Sequence, residues 1–316
     1  MKGSLSSRHI LWHPGWLAWG NMRTKIPSKV AARIRRSLGT TDLAIRLDAV
    51  EMMLREHRPR PIYLGDHTAL VETRWGGMLL LDTRDSVLGP ALMLYGLWEI
   101  DVTNWFQDIL RPGHVFVDVG ANIGYYTLLG SQLVGDNGHI FAIEAHPRMA
   151  ELLSRNVIIN GRHNVSTWQR AAWSRSEALK FHARRHFASN SSAGSLGDRG
   201  LEELHDDEEV LEVQAVQLDE ILADVPRVDL IKIDVEGAEL QVVTGLAETL
   251  ASNPEVTVMF EWSPGQLEMV GNSPTALIEL MRNHGFSFRL MEHGLESISD
   301  TELLKIHYGN VVARRS

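Results

Sequence analysis

From residue 114 onward the chain alternates short apolar runs with segments of helical spacing, and four of the runs close on an acid. HVFVD ends on Asp118, HIFAIE on Glu144, VDLIKID on Asp234 and EVTVMFE on Glu261. A short apolar run has the length of a strand buried on both faces, and the helix after it can return along the sheet. Repetition of that unit predicts an α/β fold with a doubly wound, mainly parallel sheet. The predicted order is strand 114–118, helix 122–134, strand 139–144, a helix opening at Pro147, strand 165–171, strand 228–234, helix 238–251, strand 255–261, helix 274–284 and closing strands at 286–291 and 307–314. Residues 177–217 break the rhythm, with strands at 178–182 and 210–216 around a polar loop, 186–200, and an acid run from Glu202 to Glu212 that reads as a solvated face. In such sheets ligands gather at the carboxyl ends of the strands, where the four acids stand.

Upstream, IYLG, ALVET and MLLLDT, separated by Gly65-Asp66 and Gly76-Gly77, read as short antiparallel strands. Leu88 to Leu110 has helical spacing, with Trp98 and Glu99 on a packed face or at an entrance, and Arg111-Pro112-Gly113 is a turn signal. Leu43, Leu47, Val50, Met53 and Leu54 predict a packing helix over 41–58. Residues 1–41 carry eight basic residues and no acid, +8 in a chain whose net charge is −9, which leaves −17 for the rest. With Trp12, Trp16 and Trp19 this segment suits peripheral contact with an anionic membrane or an acidic partner. Pro14 and Pro27 break a long amphipathic helix, so a tail packed on the domain is the favoured alternative. Three parts are expected: a basic, tryptophan-containing segment 1–41, a helical and β-hairpin addition 42–110 on the substrate side, and an α/β domain 111–316. An acidic body argues against broad nucleic-acid binding. The absence of cysteine excludes disulfides and thiolate metal sites and fits a reducing compartment. No apolar run reaches the length of a membrane span, and His13, Pro14 and Gly15 interrupt Ile10–Gly20, so a cytoplasmic protein is expected.

Asp118, Gly120, Asn122 and Gly124 form a bend between the first of these strands and its helix, and Glu144 ends the next strand 20 residues after Gly124. A glycine-bearing bend lets the backbone approach a ligand, and an acid at the next strand end can accept both hydroxyls of a ribose. Dinucleotide enzymes share that logic, but they need a third glycine and little negative charge, because a pyrophosphate lies on the helix N-terminus. Here the spacing is G-x-x-x-G behind a carboxylate. That suits the methionyl ammonium of S-adenosylmethionine, directly or through water.

DVGANIGYYT (118–127), IEAHP (143–147), the Asn156/Asn160 helix end leading to NVSTWQRAAWS (164–174), and above all DLIKIDVEGAEL (229–240) resemble the FkbM family of S-adenosylmethionine-dependent methyltransferases. The resemblance covers roughly residues 85–315. It implies a Rossmann-like class I methyltransferase with a seven-stranded sheet. On matching positions it implies Asp118, Gly120, Asn122 and Gly124 on the methionine and ribose side, Glu144 at the ribose, Ala171 at the adenine edge, Ala145 among the cofactor-binding residues and Asp234 facing the transferred methyl. IEAHP departs from the E-P-N/H-P run more usual in the family. Tyr125 and Tyr126 are divided between cofactor contact and core, and His146 shapes the adenine side or the surface. The implied reaction is methylation of a hydroxyl on a sugar, glycolipid or secondary metabolite, a small-molecule or glycan acceptor. Deprotonating an alcohol calls for a base or a metal-bound alkoxide. Asp234, Glu261 and His186, the last in a small-residue loop suited to a lid, are the candidates. Asp234, Glu236 and Glu261 could hold Mg²⁺, but capping of Gly237 and its helix is favoured for Glu236 and no metal ligand is assigned. The rivals are an NAD(P)-dependent oxidoreductase, disfavoured by Asp118 and the missing glycine, and a non-catalytic nucleotide-binding module tethered by residues 1–41.

Overall fold

Residues 60–185, 191–194 and 207–315 are described by the computed structural model; the basic segment 1–41, the helix expected over 41–58, and His186 with most of its loop lie outside them. Three strands, β1 (Ile62–Gly65), β2 (Thr68–Glu72) and β3 (Met78–Asp82), pair antiparallel in that order. Asp66 and His67 both take positive φ between β1 and β2, as a two-residue hairpin turn requires. Two helices follow, α1 (Leu88–Tyr95) and α2 (Ile100–Ile109), where the spacing suggests one segment. Gly96, left-handed at φ 64°, ends α1 by donating its N–H to Leu92 O.

The alternating part then runs β4 (Val115–Val119), α3 (Tyr125–Val134), β5 (His139–Glu144), α4 (Pro147–Ile159), β6 (Val165–Gln169), β7 (Ala171–Trp173), β8 (Ala178–Arg184), β9 (Glu208–Gln217), α5 (Leu218–Leu222) and β10 (Leu230–Ile233). It continues through α6 (Glu239–Thr244), α7 (Ala247–Ser252), β11 (Thr257–Trp262), α8 (Pro264–Met269), α9 (Pro274–Asn283), β12 (Phe286–Leu290), β13 (Glu296–Ile298), α10 (Asp300–Leu303) and β14 (Gly309–Arg315). The main sheet has the order β13-β12-β14-β11-β10-β4-β5-β6. The five strands from β6 to β11 are parallel, and β14 runs antiparallel to both β11 and β12. This is the doubly wound, Rossmann-like sheet of seven strands, extended to eight by β13. That edge strand has three residues, ESI, two of them polar, which is too little pattern to read from sequence.

The order reverses at β4: β5 and β6 lie to one side of it, β10 and β11 to the other, so a crevice opens at the carboxyl ends of β4 and β10. Asp118 stands beside Lys232 in the register of that pair. Successive side chains of β4 enter opposite layers. Phe116 joins Phe106, Leu128 and Ile140 in one core, and Val117 joins Ile231, Phe260 and Trp262 in the other.

Two expected elements are divided. Strand 165–171 breaks at Arg170, where its partner β5 runs out; β6 stays in the main sheet, and β7 joins a second sheet of order β7-β9-β8. Helix 238–251 breaks at Gly245, where a Cβ would lie 2.2 Å from the Trp173 carbonyl oxygen, so only glycine lets α6 and α7 approach β7. The first sheet is fastened by α4. Leu80 N–H donates to Asn156 Oδ1 (2.7 Å) and the Asn156 amide donates to Leu80 O (3.0 Å); Asn160 repeats the pair on Met78 at 2.9 and 2.6 Å. The four-residue step of a helix is about 6 Å and the two-residue step of a strand about 6.8 Å, close enough for both amides to reach. Among the described residues no helix is long and apolar enough to cross a membrane.

Candidate functional site

The bend after β4 passes through Gly120, Asn122 and Gly124 at φ of 78°, 51° and 92° before α3 begins. A Cβ on Gly120 would sit 1.8 Å from the carbonyl oxygen of Asp234, so the bend presses directly on the end of β10. On the other side Gly120 and Ala121 donate their N–H groups to Ile143 O at 2.9 and 3.0 Å. The bend is therefore clamped between β5 and β10. Beneath it Asp118 is fully buried; Thr127 Oγ1 donates to its Oδ2 (2.6 Å), while Oδ1 has no hydrogen-bond partner. Burial pushes this carboxyl up, opposed by the Lys232 charge and the Thr127 hydroxyl.

At the Glu144 end both oxygens are already oriented: Asn122 N–H donates to Oε2 and His146 N–H to Oε1, each at 2.7 Å. Burial still raises the carboxyl to about 7 against those two donors. Each oxygen keeps a lone pair, so two neighbouring hydroxyls can donate to this one group. Arg170 N–H donates to Glu144 O (3.0 Å) and brings β7 alongside. There Ala145 packs against Ala171, Phe181, Ala183, Val213 and Ala215, an apolar wall built by the second sheet. His146 caps α4 by accepting from Arg148 N–H at 3.2 Å and lies edge-on to Phe181.

The Asp234 end is built from several elements and is strongly acidic. Lys232 Nζ pairs with Asp234 Oδ2 at 2.8 Å and lies over the Tyr126 ring. Burial alone would push that ammonium down, yet Asp234 and Asp118 hold it above its ordinary value. Tyr126 Oη donates to Glu99 Oε2 (2.8 Å). Glu99, left-handed at φ 36°, is raised to about 6 by burial and then by the Asp234 charge. Glu261 is driven well above the usual carboxyl range by burial and by Glu236, Asp234 and Glu239, with a hydrogen bond from Tyr308 opposing. Asp234, Glu236 and Glu261 each offer an oxygen within 4.8 Å of the others. The turn between β10 and α6 is capped by Glu239, whose Oε1 accepts from Gly237 N–H (3.2 Å) and Val235 N–H (3.4 Å). Glu236, to which the sequence assigns that cap, instead accepts from the Gln266 amide.

Residues 118–288, more than half of the chain, match the family model of the methyltransferase FkbM domain. The chain belongs to the FkbM methyltransferase family. It is also 35% identical over 57 residues to a protein-L-isoaspartate O-methyltransferase of Methanothrix thermoacetophila, a stretch covering 18% of this chain and 27% of that protein. The chain thus spans about a quarter of the length of the curated relatives it matches. Among solved structures, the FkbM methyltransferase of Methylobacillus flagellatus KT is 14% identical with a TM-score of 0.39, covering 67% of this chain and 50% of that one. M. jannaschii TYW2 in complex with AdoMet is 14% identical with a TM-score of 0.39, covering 80% of this chain and 86% of that one.

As a member of the FkbM methyltransferase family, the chain carries residues that suit S-adenosylmethionine as donor. Glu144 holds two oriented acceptors that would suit a diol, the alanine-lined wall would suit a flat base, and the acidic Asp234 end would suit a cationic ammonium or sulfonium. The same carboxylates would repel a pyrophosphate at the start of α3.

The structure brings together Asp118, Gly120, Asn122, Gly124, Glu144, Ala145 and Ala171 around the bend, and Asp234 with Glu261 beside it. It turns Tyr125 into the core, where its hydroxyl meets Thr103 Oγ1 at 3.0 Å and its ring meets Trp75 edge-on. His186 lies outside the described residues. Sequence reasoning passes over Lys232, although a lysine inside the buried run LIKI is itself a signal, since a buried ammonium needs a partner.

Proposed function

We propose that the chain transfers a methyl group to a hydroxyl oxygen of a sugar, glycolipid or secondary metabolite. The observation that supports this reading is the concentration of carboxylates with raised proton affinity at the Asp234 end, because an alcohol, unlike an amine, must lose its proton as it is methylated. S-adenosylmethionine supplies an already activated methyl, which leaves the protein to position the acceptor and exclude water. In this reading Glu144 holds the ribose, with Ala145 and Ala171 against the adenine. Asp234, one-third exposed and tethered by Lys232, receives the acceptor hydroxyl and its proton. Glu261 stands behind it with its proton affinity raised by burial and by its carboxylate neighbours, and His186 remains a candidate base. Packed carboxylates repel an anionic acceptor, so a neutral hydroxyl fits better than the carboxyl implied by the name of the isoaspartate relatives.

A screen with methyl-labelled donor over glycans, lipids and polyketide alcohols tests the proposal. An ether product on an uncharged alcohol is expected; methylation confined to nitrogen or carboxyl groups overturns it. For residues 1–41 we keep the peripheral membrane contact as a proposal. Flotation on anionic vesicles should weaken in a variant carrying Arg33→Gln, Arg35→Gln and Arg36→Gln, and no difference removes the idea.

A further inference from the structure

We propose that Asp234, Glu236 and Glu261 bind a divalent cation of the hard, oxygen-preferring kind, such as Mg²⁺ or Mn²⁺. The three residues come from the end of β10, the turn after it and β11, and each offers one oxygen within 4.8 Å of the other two, a spacing that one ion can bridge.

Convergence of acids alone decides nothing; the deciding observation is Glu261. Its residue is 7% exposed, and its Oε2 is buried with no hydrogen-bond partner. The charges that act on it come from Glu236, Asp234 and Glu239, all carboxylates. A buried carboxylate oxygen with neither donor nor cation is costly, and a metal ion supplies what it lacks. Gln266 adds a neutral oxygen: its amide nitrogen is committed to Glu236, and its Oε1 is buried without a partner. Lys232 is paired with Asp234, so the ammonium does not reach the buried oxygen of Glu261 as a hydrogen-bond donor.

The frame is fixed before any ion arrives. Glu239 holds the turn through the N–H groups of Val235 and Gly237, and Asn272 Nδ2 donates to Gly237 O at 2.8 Å. That support keeps Glu236 at φ 54°, an unfavourable conformation for a residue with a side chain. The site is open on the side of Asp234, whose side chain is 33% exposed. An ion here would keep water on that side, where the proposed acceptor oxygen would enter.

The test reads binding rather than turnover, so it stands or falls separately from the choice of acceptor. Full-length protein is titrated with Mn²⁺ at physiological ionic strength, with free Mn²⁺ followed by electron paramagnetic resonance. We expect one Mn²⁺ per chain, displaced by Mg²⁺, weakened about tenfold or more by Glu261→Gln and by Asp234→Asn, and unchanged by Glu151→Gln on the exposed surface. In parallel, Mn²⁺ should raise the thermal midpoint of the wild type and leave that of Glu261→Gln unmoved. Glu261→Gln keeps the shape of a protonated glutamic acid, so it separates the two ways of relieving this buried oxygen. Absence of binding at millimolar Mn²⁺, a wild-type midpoint that does not move, or undiminished binding by Glu261→Gln each overturns the proposal.

Discussion

The two ends of the bend treat negative charge in opposite ways. At one end a single carboxylate, Glu144, sits with each oxygen on a backbone N–H and an apolar wall beside it. At the other, Asp234, Glu236 and Glu261 crowd together, Glu99 and Asp118 lie near, and Lys232 faces them as a counter-charge. The first arrangement suits neutral hydroxyls and is organised in advance. The second stores an excess of negative charge that something cationic must relieve. A donor whose nucleoside part is neutral and whose methionine part carries positive charge matches both ends in the same order.

The bend itself joins the two, so its loss should be the most damaging. Gly120→Ala would force a Cβ onto the Asp234 carbonyl at a φ of 78°, and a destabilisation of about 3 kcal/mol or more is expected in thermal unfolding, with loss of S-adenosylhomocysteine binding by calorimetry. A stable variant that still binds would break the idea that one turn sets both ends. Asp234→Asn should act on the acidic end alone. Turnover of labelled donor should fall about 100-fold, with a smaller loss of donor affinity from the missing negative charge. Stability should drop by about 1 kcal/mol, because Lys232 loses a partner that is partly solvated. Full turnover would mean that this carboxylate is not needed.

Glu144→Gln should do the reverse, weakening S-adenosylhomocysteine about tenfold, or about 1.4 kcal/mol, with turnover retained at saturating donor. The smallest effect is expected from pH. Hydroxyls donate to the ionised carboxylate, so affinity should level off above about 7 and decline below it in the wild type only. Stability carries the opposite sign. Carboxyls raised on folding, Glu144 and Glu239 to about 7 and Glu99 to about 6, contribute stability that is complete below their ordinary 4.5 and lost as pH rises through those values. The ligand-free thermal midpoint should therefore fall between those limits, and Glu144→Gln should flatten part of the slope.

The end that was readable in the sequence is the orderly one. Glu144 and the glycines are placed by strand period and local turn chemistry, and both act on atoms within a few residues or on the adjacent strand. The acidic end depends on which strands become neighbours. That Asp118 lies beside Lys232 follows from the reversal at β4, which spaces residues 114 positions apart into one register. Glu239 rather than Glu236 caps the turn because Glu236 is left-handed there, a conformation no local pattern announces. The breaks at Arg170 and Gly245 were hidden for a related reason: one is imposed by the end of a partner strand and the other by contact with a distant carbonyl, within stretches whose own periodicity runs on.

The paired amides of α4 have a consequence for how this protein can change. Asn156 and Asn160 work as two marks on a ruler, each reading one residue of β3, with one residue between the residues read. A slip of β3 by a single position would miss both marks and exchange the faces on which Leu79, Leu80 and Leu81 pack. The interval from Met78 to Leu80 therefore has a fixed length, and added or deleted residues can be absorbed only in the connections on either side of β3. The same helix begins at His146, next to Glu144. The gauge that sets the position of the N-terminal sheet is thus mounted on the rod that leaves the strand ending at Glu144.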